Sequence, residues 1–103
     1  MSKVAMIAKM TAQDGKRDEL VAALQKLVAQ VQNEEGTEVY VMHTSEMDPN
    51  LVVFYELYTD QAALAAHGNS PVMQEAGAAL GALLGGRPEI TMLTPQAGKG
   101  VNL

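Results

Sequence analysis

The segment Leu51-Val52-Val53-Phe54-Tyr55-Glu56-Leu57-Tyr58 carries a single charge in eight residues and is otherwise β-branched, aliphatic or aromatic. It reads as a strand. One parity of that strand is Leu51, Val53, Tyr55 and Leu57; the other is Val52, Phe54, Glu56 and Tyr58. Both are largely apolar, and a strand of this kind needs cover on both faces. The neighbouring strand candidates share the property. Val39, Val41 and His43 alternate with Tyr40 and Met42, and Val4, Met6 and Met10 alternate with Ala5, Ile7 and Lys9. The chain must therefore build a sheet with two shielded faces.

The rest of the pattern supplies cover for one of them. Val4 to Thr11 is a first strand, broken at Gln13-Asp14-Gly15, where Asp14 suits a helix N-cap. Leu20, Leu24, Leu27, Val28 and Val31 then fall on one stripe of a 3.6-residue period. This predicts a helix over about 15–34, stopped by Gly36 as a left-handed terminator. Strand 2 is expected over 38–45 and strand 3 over 51–58, joined as a hairpin through Glu46-Met47-Asp48-Pro49-Asn50. Asp60 caps a short helix over 61–67, interrupted at Gly68-Asn69. Ser70 with Pro71 starts another helix, whose apolar side runs from Val72 and Met73 to Leu83 and Leu84 before Gly85-Gly86. A last strand is expected over 89–94, closed by Pro95, and the tail 96–103 has no periodicity. The order is βαββαβ with the second helical element broken, an α+β ferredoxin-like antiparallel sheet with helices on one face, in a single domain over 1–103. The other face is left bare and apolar, which soluble monomers avoid. Two copies packing sheet on sheet solve this, so a homodimer is expected. The alternative cover, the tail, looks too short and too polar.

Composition narrows the function. The chain has 103 residues, and a net charge of -5 argues against a phosphate-backbone partner. Aromatics at 4%, without Trp, argue against base stacking, so no nucleic-acid partner is expected. The absence of Cys removes disulfides, thiolate zinc sites, iron–sulfur clusters and cysteine nucleophiles. No apolar run is long enough for a membrane span, and Lys3 and Lys9 leave no room for a signal-peptide core between them. A cytoplasmic protein without a membrane partner is the expectation.

Few residues remain to carry chemistry. His67 shares a helix side with Leu64 that should look toward the sheet. A structural histidine bonded to a backbone carbonyl explains it first; a neutral imidazole at a cavity mouth would also serve as a proton acceptor. Glu56, between Phe54 and Tyr58, needs a partner or a raised pKa, and either an ion pair that pins the sheet or a functional carboxylate fits. Tyr40, Tyr55 and Tyr58 suit core or interface packing, though each phenol can donate to a substrate oxygen. His43 lies near a strand end, and Asn69 and Ser70 lie in the helix break, where capping accounts for Ser70. Met6, Met10, Met42, Met73 and Met92 pad an irregular core or line a flexible apolar chamber. No nucleotide, flavin, metalloprotease or serine-hydrolase motif is present.

Taken in order, Glu34-Glu35-Gly36 with Tyr40, then Val53 to Asp60, then Ala63-Leu64-Ala65-Ala66-His67 and Ser70-Pro71 resemble the antibiotic biosynthesis monooxygenase (ABM) domain, whose pattern is EEG-x-x-x-Y, E-x-W, A-L-x-x-H and an S/T-P step. The resemblance runs over nearly the whole chain and is greatest to small quinol-monooxygenase-like members. It implies a dimeric α+β barrel that oxidises a quinol, phenol or polycyclic aromatic with O2, without metal or flavin. It makes His67 the base or oxyanion partner and lets Glu56 orient it. Tyr40 matches the motif tyrosine, and Tyr58 stands where the family usually has Trp; Tyr55 and Asn69 are further candidates for substrate contact. Haem-degrading relatives place an Asn, a Trp and an iron-binding His where this chain has Ala8, His67 and Gly77, so haem degradation is disfavoured. A non-catalytic dimer that binds a small molecule, or an isomerase or lyase on the same fold, remain the alternatives.

Overall fold

The computed structural model describes residues 2–103; Met1 lies outside them. Among the described residues the order is β1 (Val4–Thr11), α1 (Arg17–Val31), β2 (Thr37–Thr44), β3 (Leu51–Tyr58), α2 (Gln61–Gly68), α3 (Pro71–Leu80) and β4 (Glu89–Leu93). The strands form one antiparallel sheet in the order β2-β3-β1-β4, the ferredoxin-like arrangement expected from the βαββαβ pattern. β1 and β3 match their expected boundaries, β2 begins and ends one residue earlier, and β4 ends one residue earlier.

Register decides which parity meets the helices. Met6 and Tyr40 flank Glu56, and Ala8 and Met42 flank Phe54, so these residues share one face. α1 lays Leu20, Leu24, Leu27 and Val31 against it. Leu20, Leu24, Val52 and Phe54 lose all contact with solvent, each contributing ~1.5–3 kcal/mol of transfer free energy. The space between α1 and the sheet is thus filled with side chains. On the opposite face, Ala5 and Val39 flank Leu57, and Ile7 and Val41 flank Tyr55. The tail reaches this face: Pro95, Val101 and Leu103 border a cleft of about 470 Å³ floored by Ala5, Tyr55 and Leu57. The cover is partial, since Val41 stays 44% and Leu93 39% exposed.

Three local expectations are corrected. α1 is shorter than 15–34, and Asp14 does not cap it. Lys16 occupies the cap without a side-chain bond, while Asp14 Oδ1 accepts from Asn50 Nδ2 at 2.7 Å and ties the β2–β3 turn to the start of α1. Arg17 reinforces that tie by donating to the carbonyls of Ser45 and Asp48, both at 2.9 Å. α3 ends at Leu80 rather than near Leu84, because the backbone beyond it pairs with the end of β1: Gln13 donates to Leu83 O at 2.9 Å and Gly85 to Thr11 O at 2.7 Å. Gly36 is not a left-handed terminator, as it lacks a positive φ. Its role is close approach, because a Cβ there would collide with the Cβ of Ala63 in α2.

Gly36→Ala should therefore push α2 off the β2 end of the sheet and cost ~1–3 kcal/mol, the usual range for overpacking. Gly86→Ala, where an added Cβ meets open space, should stay within ~0.5 kcal/mol. Denaturant unfolding of the two variants compares them directly, and equal stabilities would remove the steric account of Gly36.

Candidate active site

The site forms where α2 crosses the β2–β3 end of the helix-facing surface. Glu56 and Tyr58 are two residues apart on β3 and point the same way, and β2 brings Tyr40 level with Glu56. α2 starts at Asp60, whose carboxylate accepts from the Ala63 N–H at 2.8 Å. One face of this helix turns His67, in its last turn, toward the sheet, and His67 is only 3% exposed. The imidazole stacks at tilted angles between two phenols, with ring centroids 5.2 Å from Tyr40 and 5.4 Å from Tyr58.

The loop after α1 closes the site from outside. Glu34 sits in a turn in which its N–H donates to Val31 O at 2.9 Å and its carbonyl accepts from Thr37 at 3.2 Å. Gly36 O accepts from the Thr59 N–H at 2.9 Å, which fixes the loop to the end of β3. Glu34 Oε1 accepts from Thr37 Oγ1 at 2.8 Å and lies 2.8 Å from His67 Nδ1. The ring's other nitrogen, Nε2, lies 4.0 Å from Glu56 Oε1, beyond hydrogen-bond reach. The Tyr58 hydroxyl donates to Glu56 Oε1.

Electrostatics follow from burial. Loss of solvent raises the Glu56 carboxyl above its ordinary range; the Tyr58 hydrogen bond and the nearby His67 imidazole work against this, and Glu34 adds to it. Burial, aided by the Glu56 and Glu34 charges, lifts the Tyr40 phenol well above its usual value. Burial and the bond to Glu56 do the same for Tyr58. Both phenols therefore keep their protons at neutral pH, and Tyr58 uses its own to donate to Glu56. Among the described residues, neither the Tyr40 hydroxyl nor His67 Nε2 makes a hydrogen bond, although the two rings lie 5.2 Å apart. A cleft of about 180 Å³ opens on the α1–β2 loop side of His67, lined also by Glu34, Gly36, Thr37, Ala63 and Ser70; Tyr40, Glu56 and Tyr58 lie outside its lining. No group of three or more His, Asp or Glu side chains among the described residues is arranged to hold a metal ion.

Of the residues singled out in the sequence, His67, Glu56, Tyr40 and Tyr58 come together. The partner of His67 is a carboxylate, not a backbone carbonyl. Tyr55 is on the opposite sheet face between Ile7 and Val41, away from the imidazole. Asn69 ends α2 through its backbone N–H, which bonds Ala65 O, and its residue is exposed. Ser70 caps α3 by accepting from Met73 N at 3.2 Å. Glu34 is the member that sequence reasoning left without a role; its signal was its place at the head of the Glu34-Glu35-Gly36 motif.

A four-stranded ferredoxin-like sheet with a buried His–Glu–Tyr cluster under the second helix defines the class of protein. The family model described as antibiotic biosynthesis monooxygenase matches residues 3–79, and the chain belongs to that ABM family. Solved structures of the same fold include Rv0793 from Mycobacterium tuberculosis, at 29% identity over 94% of this chain and 98% of that one, with a TM-score of 0.86. PA3566 from Pseudomonas aeruginosa is 30% identical over 94% and 97%, with a TM-score of 0.86. A candidate antibiotic biosynthesis monooxygenase from Caulobacter crescentus is 30% identical over 93% and 92%, with a TM-score of 0.89. No curated protein matches the sequence. No helix among the described residues is long and apolar enough to cross a membrane.

A pH test follows for Glu56. With a folded pKa above the unfolded one, the native state binds the extra proton, so this group's contribution to stability is present below the ordinary carboxylate pKa and lost as pH rises through the raised value. Glu56→Gln removes that dependence. The melting temperature of the wild type minus that of the variant should fall steadily as pH increases from 4 toward neutrality, whereas a flat or rising difference would show that the carboxyl titrates normally.

Proposed function

We propose that this ABM-family protein is a monooxygenase that oxidises a small quinol or phenol with O2, with His67 as the base. The observation that carries the reading is the buried imidazole of His67, held by the Glu34 carboxylate, flanked by the phenols of Tyr40 and Tyr58 and bordering a surface cleft. His67 takes the substrate's hydroxyl proton. The Tyr40 phenol, still protonated, donates to the oxygen left behind. The resulting electron-rich anion passes an electron to O2, and the oxygen bonds to the ring. For a hydroquinone ring, one oxygen atom enters the carbon skeleton and the other leaves as water, giving a hydroxyquinone. The substrate loses the four electrons that O2 gains, so no separate reductant is required. That freedom from metal and flavin is what the family resemblance implies.

The cleft is smaller than the ~300–1,000 Å³ typical of sites for drug-sized ligands. A single-ring quinol fits this scale better than a polycyclic substrate. We further propose that the working form is a homodimer, in which the apolar face of Ile7, Val41, Val53 and Tyr55 meets its copy.

Quinone formation with a panel of one- and two-ring quinols, measured with and without O2, tests the activity. Turnover should exceed spontaneous oxidation, require O2 and place one atom of labelled oxygen in the product. His67→Ala should lower kcat/KM ~10²–10⁴-fold, the usual weight of a general base, and Tyr40→Phe should lower kcat by up to ~10²-fold. A rate equal to the spontaneous one across the panel overturns the proposal. Light scattering tests assembly: the mass should be twice the 10.9 kDa of one chain, and Val41→Asp should return it to that of a single chain.

A further inference from the structure

We propose that Glu34 is the positioning residue of the site, holding His67 in the tautomer with its proton on Nδ1 so that Nε2 is the accepting nitrogen. The inference rests on the proposed role of His67 as base, and it assigns Glu34 a function that the motif match does not. A nitrogen–oxygen contact of 2.8 Å requires a proton on the line. A carboxylate brings none, so Nδ1 carries it. The carboxylate is itself fixed, because Thr37 Oγ1 donates to the same Oε1 at 2.8 Å. The turn that presents it is anchored by Thr59 to Gly36 O. An imidazole can swing about its side-chain bonds, and one short bond to an anchored acceptor removes that freedom.

The groups around the ring are accounted for on every side. β3 presents Glu56 and Tyr58, β2 presents Tyr40, and the α1–β2 loop presents Glu34 and Thr37. Of these, only Glu34 is within hydrogen-bond distance of the ring. Glu56, held by Tyr58, faces Nε2 at 4.0 Å. It is too far away to take the tautomer-setting role itself. Glu34 acts through His67, whose Nδ1 it holds, so its removal should affect the chemical step more than substrate affinity.

Long-range proton–nitrogen spectra of the ligand-free, nitrogen-labelled protein read the tautomer without any substrate. The chain has two histidines, and exposed His43, whose Nδ1 lies 3.0 Å from Val53 O, is the internal control. The wild type should show His67 protonated at Nδ1. Glu34→Gln, which keeps an acceptor oxygen, should retain that tautomer, and Glu34→Ala should lose it while His43 is unchanged. In turnover, Glu34→Ala should lower kcat ~10–100-fold with a much smaller change in KM, and Glu34→Gln should recover part of the loss. A wild-type ring protonated at Nε2, or a tautomer unmoved in Glu34→Ala, overturns the assignment, as does a turnover loss unaccompanied by a tautomer change. Should the wild type lack quinol turnover altogether, the spectra still decide the role of Glu34, so the two proposals fail separately.

Discussion

Placing one carboxyl group in the middle of an apolar strand costs free energy unless its surroundings answer it. In this chain Glu56 is that group, 3% exposed between Phe54 and Leu57. Tyr58, two residues along the same strand, donates to it, and His67 faces it from α2. His67 is in turn held by Glu34 from the loop beyond α1. Each polar group in this series is buried because the next one is present. The close fit of Gly36 against Ala63 brings the loop and α2 near enough for the series to close. No buried side-chain nitrogen or oxygen among the described residues that is fully enclosed lacks a partner, the usual condition for a polar network that specifies one arrangement.

Much of the scaffold was legible because the relevant signals are local. The strand over 51–58 is bounded by Asn50 and Thr59-Asp60, and its composition admits little else. Ser70-Pro71 marks the start of α3 for steric reasons that need no tertiary context. Errors arose where a long-range contact took over. Asp14 has the right chemistry for a cap, yet Asn50 claims its carboxylate from another part of the chain. Leu83 and Leu84 continue a helical stripe, but the end of β1 recruits their backbone.

Four members of the candidate cluster were legible, and its wiring was not. His67, Glu56, Tyr40 and Tyr58 could be named, but the bond between His67 and Glu34 spans 33 positions that no periodicity relates. Tyr55 illustrates a different limit. Because both parities of β3 are apolar, the pattern could not say which one the helices cover, and register alone separates Tyr55 from the phenols around His67.

All the side chains of the polar cluster come from one uninterrupted stretch, Glu34 to His67, whereas β1, β4, α1, α3 and the tail supply walls and support. The candidate site is thus a contiguous cassette of the sequence. Excising or transplanting residues 34–67 would therefore carry every polar side chain of the cluster at once, while the walls that bury it would have to come from the host.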